Sequence, residues 1–262
     1  MGKKALAAHA VLVYAFLYLP IGIVVGYAFN GGRQTLNWEG FSTRWFGEAL
    51  RDDTITGALR NSLVIAAGNA VVACVLGTML ALTLPSLWRG IRVPLDALVT
   101  MTLVTPEIVF GIAALVFFSQ VGIALGLKTI LIAHVVFNAS VVALIVRARF
   151  VGMGQSLEEA SYDLGAAPLS TFRQVTLPRL APAIIAGGLL AFTFSFDDFY
   201  TSFFVSGAGS TTLPLFIFSS LRFGVSPIVN ATATMILALS VGAVVIAYLV
   251  LRRSGAKPVP GL

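Results

Sequence analysis

Three carboxylates, Glu107, Asp197 and Asp198, stand inside long apolar runs of the chain. A charged side chain at the centre of a bilayer costs on the order of 3 kcal/mol on insertion scales, so such groups face water, a partner helix or a transported ion. Around the aspartates, Thr193, Asp197 and Thr201 recur every fourth residue and share one helical stripe, and Ser195, Asp198 and Ser202 form a neighbouring one. Phe194, Phe196, Phe199, Tyr200, Phe203 and Phe204 surround both stripes. Carboxylates among aromatic faces suit an elongated organic cation, held by charge pairing and cation–π contact. The competing reading is structural: the acids pair with a basic group of a partner or with helix ends. Taken singly, the phenylalanines fit lipid or core better than cargo.

Bond-making chemistry is not indicated. The carboxylates of residues 156–178 have no partner base and no metal-ligand spacing. The two histidines, His9 and His134, lie far apart without Cys or carboxylate neighbours in sequence, and read as structural. Cys74 is the single cysteine, so no disulfide forms within the chain, and it reads as a small core residue. No glycine–lysine phosphate loop and no nucleic-acid or metal motif occurs, so the chain is not expected to hydrolyse ATP or to bind nucleic acid.

The elements that must position these residues are membrane spans. Of the 262 residues, 58% are hydrophobic and 11% charged, and the mean hydropathy is +0.94. Soluble domains carry about a quarter charged residues. The composition therefore predicts a multi-pass, all-α integral membrane protein forming one domain. With roughly 20 apolar residues per crossing, six spans are expected: Ala8–Phe29, Leu59–Leu84, Leu95–Phe118, Thr129–Val146, Pro182–Val205 and Pro227–Leu251. Pro20 and Pro106 should kink the first and third. In straight spans Glu107 falls near the midplane and Asp197 roughly 5 Å outside it, at about 1.5 Å per residue, close enough to address one cavity. Lys3-Lys4 before the first span resembles the start of a signal sequence, but the long apolar run reads as an uncleaved anchor.

The net charge of +6 is unevenly placed. With the N-terminus inside, eleven Lys and Arg fall on inner segments and six on outer ones, which places both termini in the cytoplasm. The outer loop Asn30–Ala58 carries Trp38, Phe41, Trp45, Phe46 and Leu50. Their spacing suits either a surface amphipathic helix or an ordinary packing loop with aromatic anchors. The outer loop Ser206–Ser226 turns apolar at Leu213–Phe218 and is expected to dip back towards the membrane. The tail after Arg253 suggests no function.

One inner segment, residues 156–178 between spans four and five, is polar where its surroundings are not. Ser156 and Glu159 make a capping box, and Leu157, Ala160 and Leu164 share a face. Gly165 is placed as a left-handed terminator. Pro168 opens a second helix, with Leu169, Phe172 and Val175 as its apolar stripe, and Pro178 and Pro182 lead into span five. Two short helices meeting at a sharp glycine turn are expected.

Glu159-Ala160-Ser161, three residues, Gly165, nine residues, then Val175-Thr176-Leu177-Pro178 resembles the EAA loop of ABC-importer permeases of the binding-protein-dependent, MetI-like kind. Ser161 and Val175 depart from the usual Ala and Ile. The resemblance implies that Glu159, Ala160, Ser161, Gly165, Val175, Leu177 and Pro178 belong to a coupling helix seated on a cytoplasmic ATPase. It implies no cofactor in this chain, with ATP and Mg2+ held by that ATPase dimer. Thr105-Pro106-Glu107-Ile108-Val109, Gly111-Ile112, Ser195-Phe196-Asp197-Asp198-Phe199, Thr212-Leu213-Pro214-Leu215 and Arg222-Phe223-Gly224-Val225-Ser226-Pro227 are similar to spermidine/putrescine permease subunits of the PotC type. Glu107 stands where those relatives often carry Asp. This second resemblance implies a non-catalytic subunit in a bacterial inner membrane, surrounded by lipid. Its expected partners are a second permease chain, in a heterodimer, and an extracytoplasmic binding protein. Glu107, Thr193, Asp197, Asp198, Tyr200 and Thr201 would line the cargo path. Other cargo (ferric iron, opines, amino acids) stays open, as does a secondary cation transporter or channel.

Overall fold

The computed structural model describes residues 2–33, 37–154, 156–222, 224 and 226–253. Phe223 and Val225 of the Arg222–Pro227 motif and the tail after Arg253 lie outside them. In chain order the helices are α1 (Lys3–Ala28), α2 (Arg44–Ala49), α3 (Asp53–Thr83), a 3-10 turn (Leu84–Ser86), α4 (Arg89–Val104), α5 (Glu107–Val121) and α6 (Leu127–Val151). They continue with α7 (Ser156–Asp163), α8 (Pro168–Thr171), a π-helical turn (Phe172–Thr176), α9 (Leu177–Asp197), α10 (Tyr200–Val205), α11 (Leu213–Leu221) and α12 (Pro227–Arg253). Among the described residues the only β pairing is an isolated bridge between Asn30 and Phe41.

By length and composition, four helical stretches suffice to cross a membrane: Lys3–Ala28, Asp53–Ser86, Leu127–Val151 and Pro168–Asp197. The expected third span is not one rod. It is α4 and α5, bent by 115° at Thr105-Pro106, and counting the pair as one crossing makes five. Pro106 lacks an N–H and drives the residue before it out of the helical region. Thr105 accordingly sits at ψ 128° and Pro106 at ψ 134°. Pro227–Gly242, the start of α12, is apolar but short. Pro20 produces no break in α1, which stays one helix through it.

Contacts group Arg60–Thr212 with Ala243–Leu262 into one compact unit and Met1–Leu59 with Leu213–Gly242 into another. In the first, α6 is central. Its buried face carries Ile130, Ala133, Val142 and Val146, and also His134 and Asn138. Val142 and Val146 pack with Ala73 and Ala81 of α3 and Leu180 and Ala191 of α9. Ile130 and Ala133 pack with Ile65, Phe118 and Val205. Small residues set the spacing: a Cβ on Gly77 would lie 2.6 Å from Val142 Cβ, so α3 and α6 meet nearly backbone to backbone. Asn69 of α3 donates to the Ala191 carbonyl at 2.8 Å, and Arg147 of α6 forms an ion pair with Asp96 of α4.

In the second unit, Ala28, Trp45 and Ala231 form a small core with Phe29, Phe46 and Ile228 around it. The Trp45 indole donates to the Asn30 carbonyl at 2.8 Å. Asn30 Oδ1 accepts the Gly32 and Glu39 amides. Among the described residues of this loop, helix occupies Arg44–Ala49 and, from Asp53, the start of α3, and Trp38 and Phe41 lie outside both. The loop is thus a packed cap with aromatic anchors rather than a continuous surface helix. Leu213–Phe218, expected to dip back towards the membrane, belongs to α11, an apolar helix of nine residues.

Candidate functional site: an acidic cavity at two helix breaks

A cavity of about 360 Å³ opens within the first unit, lined from α5 by Glu107 and Phe110 and from α6 by His134, Phe137 and Asn138. The end of α9 and the start of α10 complete it with Phe194, Asp197, Asp198, Phe199, Tyr200 and Thr201. Its acids sit at two interruptions of the helical backbone. Glu107 is the first residue of α5, directly after the Pro106 break, where a negative charge meets the positive end of the helix. It therefore stands at the bend between α4 and α5 and not within a straight helix. Asp197 ends α9, and Asp198 leaves the helix at ψ 120°.

The second break has a local cause. Asp198 Oδ1 accepts the Ser202 amide at 2.7 Å, and a short polar side chain that binds its own backbone competes with helix continuation. Non-helical backbone at membrane depth survives where it lines a cavity or is buried in protein, and both breaks line this one. Close packing then holds α5 against α10. A Cβ on Gly111 would lie 2.8 Å from Phe204 Cδ2 and 3.3 Å from Thr201 Cα.

Glu107, Asp197, Asp198, Tyr200 and Thr201 thus meet in one place. Thr193 does not join them: its hydroxyl donates to the Leu189 carbonyl one turn back, at 2.9 Å. Phe196 is 1% exposed, stacked with Phe192 at 5.8 Å, and belongs to the core. Phe199 and Tyr200 meet edge to face at 5.4 Å, and Phe110 meets Phe137 at 6.1 Å. The aromatic lining therefore comes from several helices, not one.

The three acids are not equivalent. Asp198 Oδ1 is 3.1 Å from His134 Nε2, whose ring is 3% exposed. Among the described residues, Glu107 and Asp197 have no hydrogen-bond or ion-pair partner, and both are exposed to the cavity. Of the three, Asp198 is the carboxylate that hydrogen-bonds a helix end, at the Ser202 amide. His134, without a carboxylate neighbour along the chain, has one across the fold. Sequence reasoning misses Asn138 as well, although a His and an Asn four residues apart in an apolar span put two costly polar groups on one helix face.

At residues 156–178, α7 ends in a complete Schellman motif. Ala166 N–H donates to Ser161 O at 3.1 Å and Gly165 N–H to Tyr162 O at 2.8 Å, with Gly165 at φ +81°. Glu159 and Ala160 are exposed, as are Leu157, Tyr162 and Leu164 at 52, 50 and 88%. Ser161 Oγ bonds Thr171 Oγ1 at 2.9 Å, and Thr176 Oγ1 donates to Glu158 at 2.5 Å. α7 is therefore clamped against the stretch that leads into α9. Val175 lies in the π-helical turn, and Leu177 and Pro178 open α9. The second helix does not stop before the span but runs into it through that turn.

The family described as "Binding-protein-dependent transport system inner membrane component" matches residues 73–255. The chain is 44% identical over 234 residues to the putrescine transport system permease protein PotI of Escherichia coli, covering 86% of this chain and 83% of that one. It is 38% identical over 244 residues to the spermidine/putrescine transport system permease protein PotC of Haemophilus influenzae, covering 93 and 95%. Among solved structures, the fold is similar to a bacterial ABC transporter involved in import of the acidic polysaccharide alginate. That match has a TM-score of 0.75 at 14% identity over 95% of this chain and 94% of the other. The methionine transporter MetNI gives 0.64 at 17% identity, over 77 and 98%. With apolar helices able to cross a membrane several times, the chain belongs to this family of inner membrane permease components of ABC importers.

Proposed function

We propose that the protein is the polyamine-conducting permease subunit of an ATP-driven importer. The supporting observation is the acidic cavity: three carboxylates with aromatic walls, at the breaks of two membrane helices, in a chain whose relatives are named for putrescine and spermidine transport. A polyamine at neutral pH is a flexible chain of ammonium groups separated by methylenes. The carboxylates neutralise the ammonium charge, and Phe110, Phe194, Phe199 and Tyr200 cover the methylenes and face the cations. Each carboxylate is costly to keep at membrane depth without a counter-ion, so a passing cation lowers the free energy of a site already built for it.

In this reading the chain has six spans with both termini in the cytoplasm, in a bacterial inner membrane. It is not itself catalytic. It pairs with a sister permease chain, receives cargo from an extracytoplasmic binding protein, and rests α7 on a cytoplasmic ATPase dimer that holds ATP and Mg2+. The exposed apolar side chains of α7 supply the contact. The clamp to α8 and the π-helical turn carries movement at the ATPase into α9, the helix that bears Asp197.

The test is putrescine uptake by vesicles holding the complete importer. Asp197→Asn and Glu107→Gln remove charge at nearly constant shape. Each is expected to lower uptake about tenfold or more, the loss that goes with one strong charged contact, while the complex still assembles. Unchanged uptake in both variants sinks the polyamine reading.

A further inference from the structure

The cavity sets three carboxylates together, and the protein has already occupied one of them. Asp198 Oδ1 takes the Ser202 amide at 2.7 Å and the His134 ring at 3.1 Å. The other ring nitrogen is 2.7 Å from Ser195 Oγ, and Ser202 Oγ approaches Nε2 at 3.2 Å. The ring therefore bonds one residue three positions before Asp198 and another four after it, on both sides of the α9–α10 break. Its own carbonyl accepts from Asn138 at 3.0 Å. Resting on the polyamine reading, we propose that His134 is a positioning residue. It staples the break shut through Asp198 and withdraws that carboxylate from cargo, leaving Glu107 and Asp197 as the two acids that meet ammonium groups.

Burial and partner count support this division. Asp198's side chain is 12% exposed and the imidazole 3%. A cargo ammonium reaching Asp198 must displace a buried ring held at both nitrogens. Glu107 and Asp197 offer exposed carboxylates without a protein partner among the described residues. The titratable groups lining the cavity with His134 are Glu107 of α5, Asp197 of α9, Asp198 at the break and Tyr200 of α10. A buried charge or hydrogen bond whose partner is removed is strongly destabilising, so the histidine and Asp198 must act as a unit.

The experiment uses the complete importer in vesicles, with putrescine as the diamine and spermidine as the triamine. His134→Gln keeps a donor of similar reach. His134→Gln and Asp198→Asn are each expected to lower uptake, with the double variant no worse than the poorer single one, because both break the same contact. His134→Gln combined with Asp197→Asn is expected to lose the product of the two single losses. Asp198→Asn should lower diamine and triamine uptake by the same factor, whereas Asp197→Asn should change their ratio at least about threefold, since it alters how many ammonium charges are matched. The ratio measurement needs no histidine variant, so a His134→Gln chain that fails to assemble does not spare the proposal. Multiplicative losses for His134 with Asp198, or a shifted ratio in Asp198→Asn, overturn the positioning role while leaving the polyamine reading intact. A silent Asp197→Asn together with a silent Glu107→Gln overturns the polyamine reading itself.

Discussion

Asp197 and Asp198 are neighbours in sequence and of one chemical type, yet the fold gives them different work. The difference comes from position relative to the end of α9: one more residue of helix leaves Asp197 exposed to the cavity, while Asp198 turns back onto the Ser202 amide. Gly111 is the residue on which this arrangement leans from the other side. Its missing side chain lets α5 lie against the backbone of Thr201 and Tyr200. Gly111→Ala places a methyl group under 3 Å from the Phe204 ring, and overpacking of this kind costs about 1–3 kcal/mol. We expect Gly111→Ala to lower the melting temperature of the detergent-solubilised complex and to reduce uptake by moving α10, although it touches no cargo. A variant as stable and as active as the unsubstituted protein contradicts the close packing of α5 on α10.

At the scale of elements, the two parts of the molecule differ in how legible they are from sequence. The 156–178 segment is legible because its signals are local. Gly165 and Pro168 each act through backbone preferences within a turn, and the structure places the left-handed glycine and the start of α8 where those preferences require. The cavity is only half legible. Glu107 and the aspartates announce themselves by their cost in an apolar run, but His134, Asn138, Phe110 and Phe137 come from α5 and α6, and only tertiary packing brings them to the acids. Thr193 shares α9 with Asp197, but it does not line the cavity, and its hydroxyl bonds within its own helix. A straight third span would put Glu107 inside one helix, whereas Pro106 makes it the start of a new helix. Gly165 tests the local reading. At φ +81° an alanine costs roughly 1–2 kcal/mol, enough to loosen the Schellman turn and the angle between α7 and α8. Gly165→Ala is therefore expected to leave basal ATP hydrolysis of the complex in place while weakening its stimulation by cargo-loaded binding protein. Full stimulation in that variant removes the turn from the coupling route.

For the molecule as a whole, direction across the membrane decides whether the acidic cavity and the exposed face of α7 can serve one transport cycle. Basic residues concentrate on the segments read as inner, with Arg147, Arg149, Arg173 and Arg179 in and beside the 156–178 segment, and this bias is what orients short loops. The chain is well suited to a direct check, since Cys74 is its single cysteine and is bonded to the Ile184 carbonyl inside the packing of α3 on α9. In a Cys74→Ala background, Leu164→Cys sits on a residue 88% exposed at the tip of the α7–α8 turn, and Arg33→Cys sits on an exposed residue after α1. A membrane-impermeant maleimide should modify position 164 only when it reaches the cytoplasmic face and position 33 only from outside. Labelling of both positions from one face would mean an odd number of crossings has been miscounted between residues 33 and 164. The bent pair α4–α5, which counts as one crossing only if the chain leaves it on the opposite side from which it came, is where such a miscount would arise.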